Sequence, residues 1–429
     1  MERYDSYKDS GVEWIGDIPT SWSSLKIKRT TNIKRGSSPR PIDDPKYFDD
    51  EKGEYHWIRI SDVSKSGRYL THTEQKLSEL GSSLSHKLNE DEIVMSISGS
   101  VGKVFITKTK CCIHDGFVTF ENPKVERDFL YYLLTNDELY NEDRRLGTQF
   151  NINSEIVGNK YIPFPPLSEQ QEIVSFLDTK TSLIDSLIEK TQRKIELLKE
   201  KRTSLINEVV TKGLNPDVDM KDSGVEWIGE IPIHWELKQL KHISDFQNGY
   251  GFKSDKWTDS GIPIIRIQNL NGGENFNFYE EENELEKYLV FEGDLLFSWS
   301  GNVGTSFGPF MWDKKGRYYL NQHIFLFNQK VEVNLKWYFF TLKRLTRFIE
   351  EYFTSGVIGL VHITKDELGG SKIPYPPLNE QQQIVEYLDE QTQLIDKTIS
   401  IEEKRIELLK EYRQSLISEV VTGKRKVVE

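Results

Sequence analysis

The run from Ile162 to Thr211, IPFPPLSEQQEIVSFLDTKTSLIDSLIEKTQRKIELLKEKRTSLINEVVT, recurs without a gap from Ile373 to Thr422, with 31 of 50 aligned positions identical. Apolar residues recur through each copy at helical spacing: Ile173, Leu177, Ile184, Ile188, Ile195, Leu198, Ile206 and Val209 in the first, and their counterparts 211 positions later in the second. A Pro-Pro pair precedes each stripe, Ser168 and Asn379 are suitable N-caps, and Gly213 and Gly423 stand where each helix should stop. Each copy therefore predicts one helix of roughly 44 residues, about 66 Å at 1.5 Å per residue. The opposite face is Glu, Lys, Arg and Gln, so a lone helix would leave an apolar seam in water. The two copies are expected to bury their seams against each other.

A second repeat precedes each first one. Lys8 to Trp22, KDSGVEWIGDIPTSW, returns as Lys221 to Trp235, KDSGVEWIGEIPIHW, with 12 of 15 positions identical. The chain is thus a tandem of two halves, each reading lead-in, globular region, IPxPPLxEQQ segment, long helix. The globular regions are mostly dissimilar but keep a skeleton. Trp57 to Ile60 pairs with Ile264 to Ile267, and Ile93 to Ser96 with Leu295 to Ser298, all read as buried strands. Glycine-punctuated loops follow the second strand, from Ser98 through Ser100 to Lys103 and from Ser300 to Thr305. Aromatic segments at Phe129 to Leu134 and Trp337 to Leu342 have helical character, so each half predicts a mixed α+β domain. The strand order does not follow from the sequence.

Composition narrows the function classes. Of 429 residues 37% are hydrophobic, which is enough for sizeable cores, and no apolar run approaches the length needed to span a bilayer. With a polar start and no targeting segment, the expectation is a soluble cytoplasmic chain. Cys111 and Cys112 are adjacent and lack zinc-site spacing, so buried thiols and no metal are expected. A formal charge of −12 argues against nonspecific coating of nucleic acid. Charge is uneven, however: Ser23 to Ile42 carries Lys26, Lys28, Arg29, Lys34, Arg35 and Arg40 with no acidic residue, and the first globular region balances 21 basic against 21 acidic residues. In the second region the clusters are Lys314, Lys315 and Arg317, and Lys343, Arg344 and Arg347, with Gln247, Asn248, Gln268 and Asn269 as residue types able to read base edges. A charge run taken alone more often marks a solvated face. Arg59 and Arg266, in the strand skeleton, read as structural.

Catalysis finds no footing. There is no GxxxxGK(S/T) loop and no GxGxxG, since Gly249 and Gly251 lack the third glycine. Pro163 to Pro166 lacks the leading Asn or Asp of an adenine methyltransferase motif and reads as a turn before the helix. His114 with Asp115, and His323, lack a partner nucleophile or ligand set and read as structural.

The IPxPPLxEQQxIVxxLD segment, the paired helices, the WIGxIPxxW lead-in and the RGxSPxP pattern at Arg35-Gly36-Ser37-Ser38-Pro39-Arg40-Pro41 together closely resemble the specificity subunit of type I restriction-modification systems, over essentially the whole chain. The resemblance implies an α+β protein with two mixed α/β target-recognition domains, at 1–166 and 214–377. They are joined by two long helices, 167–213 and 378–425, forming an antiparallel coiled coil within a tandem pseudo-repeat. It implies a non-catalytic chain that reads a bipartite, asymmetric double-stranded DNA target. The partners implied are two methyltransferase subunits and restriction-motor subunits, with S-adenosylmethionine, ATP and Mg held by those partners and no cofactor here. The expected DNA face is Arg35, Ser37, Arg40 and Lys103 in the first half, and Asn248, Tyr250, Lys253 and Asn302 in the second. Here Gln247 to Lys253 stands in for RGxSPxP. The competing class is a structural adapter, or a stand-alone decoy, whose paired coiled coils only bridge partner proteins. Diversification confined to the two globular regions favours the DNA reader.

Overall fold

The computed structural model describes residues 3–99, 101–140, 152–353 and 359–427. The chain divides into two compact units, 1–192 with 403–429, and 193–402. Four helices organise them: α1, Arg127–Leu134; α2, Leu167–Lys212; α3, Leu335–Phe353; and α4, Leu378–Val421.

Each unit carries two principal sheets of corresponding strand order, all mixed except the second unit's sheet containing Ser244–Asn248, which is antiparallel throughout and lacks the parallel edge strand of its counterpart. In the first unit one sheet runs Asn32–Arg35, Phe117–Glu121, Ile93–Ser96, Val104–Thr107, Tyr69–Leu70, and the other runs Gln75–Leu77, Tyr55–Ile58, Cys111–Ile113, His86–Leu88. In the second unit the corresponding orders are Ser244–Asn248, Ile324–Gln329, Leu295–Ser298, Gly308–Met311, and Asn277–Tyr279, Ile262–Ile265, Tyr318–Leu320, Leu289–Val290. The central pair of each second sheet is parallel, Tyr55–Ile58 on Cys111–Ile113 and Ile262–Ile265 on Tyr318–Leu320. The strands expected at Ile93 to Ser96 and Leu295 to Ser298 form at those residues and are fully buried. The other expected pair ends two residues early, because Ile60 and Ile267 each begin a short helix. There the Arg59 backbone N–H donates to the Asp62 carboxylate at 2.8 Å, and that of Arg266 to the Asn269 side chain at 3.0 Å. Cys111 and Cys112 are free, buried thiols; burial pushes Cys112 up to about 12 and Cys111 further.

The repeated motifs touch one another within each unit. The Trp22 indole N–H donates to Glu169 at 2.7 Å and that of Trp235 to Glu380 at 2.9 Å, so the last tryptophan of the lead-in meets the glutamate of PPLxEQQ. The other side of each tryptophan faces the end of the other long helix. A Cβ on Gly423 would lie 3.0 Å from the Trp22 ring, and one on Gly213 would lie 3.1 Å from Trp235. Both glycines also hold φ of +76°, so backbone conformation and space agree on the residue. The next residue of the motif is buried: Gln170 accepts from the Glu126 N–H at 2.7 Å and donates to Pro165 at 2.8 Å. Gln381 does the same with Asn334 and Pro376, at 2.9 Å each. Burying an amide demands such partners, and here they fix the globular region to the start of its helix. The helices begin at Leu167 and Leu378, so Ser168 and Asn379 sit in the first turn instead of capping it.

The expected apolar stripe is buried at Ile173, Leu177, Ile184, Ile195, Ile206 and Val209 and at Ile384, Leu388, Ile395, Ile399, Ile406, Ile417 and Val420. Helix pairing is antiparallel. In the second unit Lys194 bonds Glu402 at 2.5 Å while Arg202 meets Asp396 at 3.0 Å, so advancing along α2 means retreating along α4. In the first unit Arg413 meets Asp185 at 2.9 Å. The stripe does more than close the coiled coil. Ile173, Leu177 and Ile417 share one core with Trp22 and Phe129, as Ile206, Ile384 and Leu388 do with Trp235 and Trp337. In the first unit Arg68 also ties α1 to α2 through Asp128 and Asp178. Burial opposes its charge, but the hydrogen bonds it donates to both carboxylates hold its pKa above the ordinary arginine value. No described helix is long and apolar enough to cross a membrane.

Candidate nucleic-acid interface

The RGxSPxP segment leaves the edge strand Asn32–Arg35 and is pinned to a second loop 80 residues away. The Gly36 N–H donates to the Phe117 carbonyl and the Ser37 N–H to that of Ile113, both at 3.0 Å. A Cβ on Gly36 would lie 2.1 Å from the His114 carbonyl oxygen, so only glycine admits this approach. The side chains then converge on Asp115. The Arg35 Nε donates to its backbone carbonyl at 2.7 Å, and the Arg40 guanidinium pairs with its carboxylate at 3.1 Å. The Arg40 and Asp115 side chains are 70% and 46% exposed, and such pairs are worth at most about 1 kcal/mol. Arg40 is therefore held in place yet free to change partner. Ser37 is exposed, its hydroxyl within 3.4 Å of the Leu84 carbonyl.

Beneath them His114 packs on Phe117 and Trp57, and its Nδ1 accepts from the Gly116 N–H at 2.9 Å. Burial holds this imidazole below the usual histidine value against the pull of Asp115, and the Arg59 charge acts in the same direction. Arg59 is exposed, unlike the structural arginine expected there. Arg266 fits that expectation, bonding Asn277 at 3.0 Å and lying over Trp257. The third loop enters through Ser98, whose hydroxyl would be 2.5 Å from a Cβ on Gly116, and through Gly99, which abuts Ile60. Ser100 lies outside the described residues. Lys103 is exposed at the end of this loop, anchored by its N–H to the Ser96 hydroxyl at 3.1 Å, and makes no described contact with Arg35, Arg40 or Asp115.

The second unit builds the same cradle with different residues. The Gly249 N–H donates to Ile324 at 3.1 Å and the Tyr250 N–H to Leu320 at 2.8 Å, and a Cβ on Gly249 would lie 2.2 Å from the Asn321 carbonyl oxygen. Gln247 to Lys253 therefore occupies the place of RGxSPxP, with Asn248 for Arg35, Gly249 for Gly36, Tyr250 for Ser37 and Lys253 for Arg40. Phe252 is buried where Pro39 is buried. Asn248, Tyr250 and Lys253 are exposed on one loop, the Tyr250 ring backed by Phe252 and Tyr288 at 5.0 and 5.4 Å. Gln322 stands where Asp115 does, its amide against Gly251. Beside it the Trp299 indole donates to the Gln322 carbonyl at 3.1 Å and its ring meets His323 and His362. Asn302 is separate: it ends the short strand Ser300–Asn302, paired with Leu360–His362.

Some residue types able to read bases are already engaged. Asn269 is buried and closes its own turn through Arg266, Gly273 and Asn275, and Gln247 bonds Lys287 and Asn328. Asp115 and Gln322 were not among the expected site residues; the signal for both was the loop two residues after a buried strand in each half. Among the described residues no group of three His, Cys, Asp or Glu could hold a metal ion. What the cradle offers is a pair of cations or amides on a glycine-anchored loop, the donors that bind phosphates and purine edges.

Residues 21–197 and 232–411 match the family described as the type I restriction modification DNA specificity domain. The type I restriction enzyme MjaVIII specificity subunit of Methanocaldococcus jannaschii is 26% identical over 431 residues, covering 96% of this chain and 94% of that protein. The EcoKI specificity subunit of Escherichia coli is 24% identical over 307 residues, 66% of this chain and 62% of that protein. Among solved structures, a chain described under complex assembly and conformational transition of the type I R-M system aligns with a TM-score of 0.71 at 16% identity, over 94% of this chain and 98% of that one. The HsdS subunit from Thermoanaerobacter tengcongensis aligns at 0.53 with 17% identity, over 95% and 98%.

Proposed function

The chain belongs to the type I restriction modification DNA specificity family, and from that premise we propose that each unit reads one half of a split, asymmetric double-stranded DNA target and directs partner subunits to it. The observation that carries this reading is the duplicated cradle. Gly36 and Gly249 are seated on equivalent carbonyls, while the side chains they present, Arg35, Ser37 and Arg40 against Asn248, Tyr250 and Lys253, differ. A common frame with exchanged donors is what two different half-sites require. Lys103 and Asn302, which are set apart from the cradle residues, would be further contacts.

The chain specifies and does not catalyse. S-adenosylmethionine, ATP and Mg belong to partner subunits, and the assembled complex would work in the cytoplasm. Two methyltransferase subunits fit the duplicated frame. Leu167, Leu183 and Leu408 are exposed in the first unit, and their repeat counterparts Leu378, Leu394 and Leu197 are exposed in the second, so each unit offers the same apolar face. Restriction-motor subunits would join through the methyltransferases.

The test is a pair of single variants in the complex assembled with methyltransferase subunits. Arg40→Ala should relax base preference in one half of the target and Lys253→Ala in the other, by about 1 to 3 kcal/mol where the contact is to a base edge. Affinity and preference unchanged in both variants and in Arg35→Ala and Asn248→Ala would remove the assignment.

A further inference from the structure

Helix α3 of the second unit borders a cleft of about 690 Å³ whose lining includes Arg202, Lys343, Arg344, Arg347 and the turn Gly304 and Thr305. Four cations here face three carboxylates that are already engaged. Arg202 pairs with Asp396 at 3.0 Å, Arg347 with Glu351 at 3.1 Å, and Glu350 accepts the Gly304 N–H at 2.7 Å. Among the described residues no carboxylate pairs with Lys343 or Arg344. Lys343 lies over the Phe339 ring at 4.6 Å, and Arg344 bonds the Trp227 carbonyl at 3.1 Å. Burial lowers the pKa of both; the Arg202 charge adds to this at Lys343 against a weaker pull from Asp396, and the Arg347 charge adds to it at Arg344 against the pull of Glu351. A crowded, partly desolvated set of cations is a standing attraction for an anion.

The first unit does not repeat three of these four cations at the matching positions. The buried glutamines set the register, Glu126 on Gln170 matching Asn334 on Gln381, so Lys343, Arg344 and Arg347 correspond to Thr135, Asn136 and Leu139. Of the four cations only Arg202 has a repeat counterpart, Arg413. A partner bound identically by both repeats would use shared residues, whereas DNA is what the two units treat differently. The lining of the cleft also reaches the loop after Asn302, one of the candidate DNA-face residues, since Gly304 and Thr305 stand two and three positions beyond it.

We propose that this cleft is a backbone-phosphate site peculiar to the second unit, with Lys343 and Arg347 gripping DNA beside the half-site that unit reads. The proposal rests on the DNA-reading function above. The experiment compares wild type, the Lys343→Gln/Arg347→Gln pair and the charge-keeping Lys343→Arg/Arg347→Lys pair, each in the methyltransferase complex, titrated with target and scrambled duplexes from 50 to 200 mM salt. The neutral pair should weaken both duplexes evenly, and its slope of log affinity against log salt should be shallower by up to about 2, near 0.9 per lost phosphate contact. The charge-keeping pair should retain the wild-type slope. An unchanged slope in the neutral pair overturns the proposal, as does a changed base preference. Loss of methyltransferase subunits from the complex on size exclusion would also overturn it, marking a protein-docking cleft. Failure of the reading itself would look different, as a wild-type complex without any sequence preference.

Discussion

Asp115 holds both candidate reading arginines of the first unit, one through its carbonyl and one through its carboxylate. Because the Arg40 pair is largely exposed, Asp115→Asn should change thermal stability by no more than about 0.5 kcal/mol. Base preference in one half-site should nevertheless loosen; binding to a panel of half-site variants checks this. The cradle glycines behave oppositely. Alanine at Gly36 or Gly249 would press a methyl onto a carbonyl oxygen and should cost about 1 to 3 kcal/mol, read by denaturant unfolding. His114 gives a pH signature. Its folded value lies below the free imidazole's, so the unfolded chain binds more protons in that interval and stability falls as pH drops below about 6.5. The loss between pH 7.5 and 5.5 should shrink in His114→Phe. Arg35, Arg40 and Lys253 were legible as exposed donors on a glycine loop. Asp115 and Gln322 were not, because a residue 70 to 80 positions away is a neighbour only once two sheets have formed.

The long helices were legible at the element scale since their stripe repeats over many turns and is written twice. Their anchoring was less so. PPLxEQQ reads as a helix start, but the sequence does not say that its first glutamine is buried and bonded to the globular region. Gln170→Leu and Gln381→Leu would each strand a backbone N–H and a carbonyl, and each should lower stability by about 2 to 3 kcal/mol in thermal or denaturant unfolding. The strand at Tyr55–Ile58 was misplaced by two residues because Ile60 continues the apolar run while the backbone has already turned under Asp62. Pattern sees the side chain and misses that hydrogen bond. Sheet order was illegible for the same reason: short, fully buried strands carry no alternation to tell one neighbour from another.

At the scale of the whole molecule, the tandem repeat stated that there are two similar bodies, and the fold adds that each unit joins the start of one long helix to the end of the other through its own tryptophan. The two bodies share a frame and differ where they would meet DNA. Because the chain specifies without catalysing, the purified protein given S-adenosylmethionine or ATP should show no turnover, with activity appearing on addition of its partners. Whether each unit reads one half-site is decided by replacing residues 236–372 with the corresponding region of another family member and sequencing the methylated sites of a host carrying the chimera with its partner subunits. One half of the methylated target should change and the other should stay as it was. A continuous target, or a change in both halves at once, would contradict it.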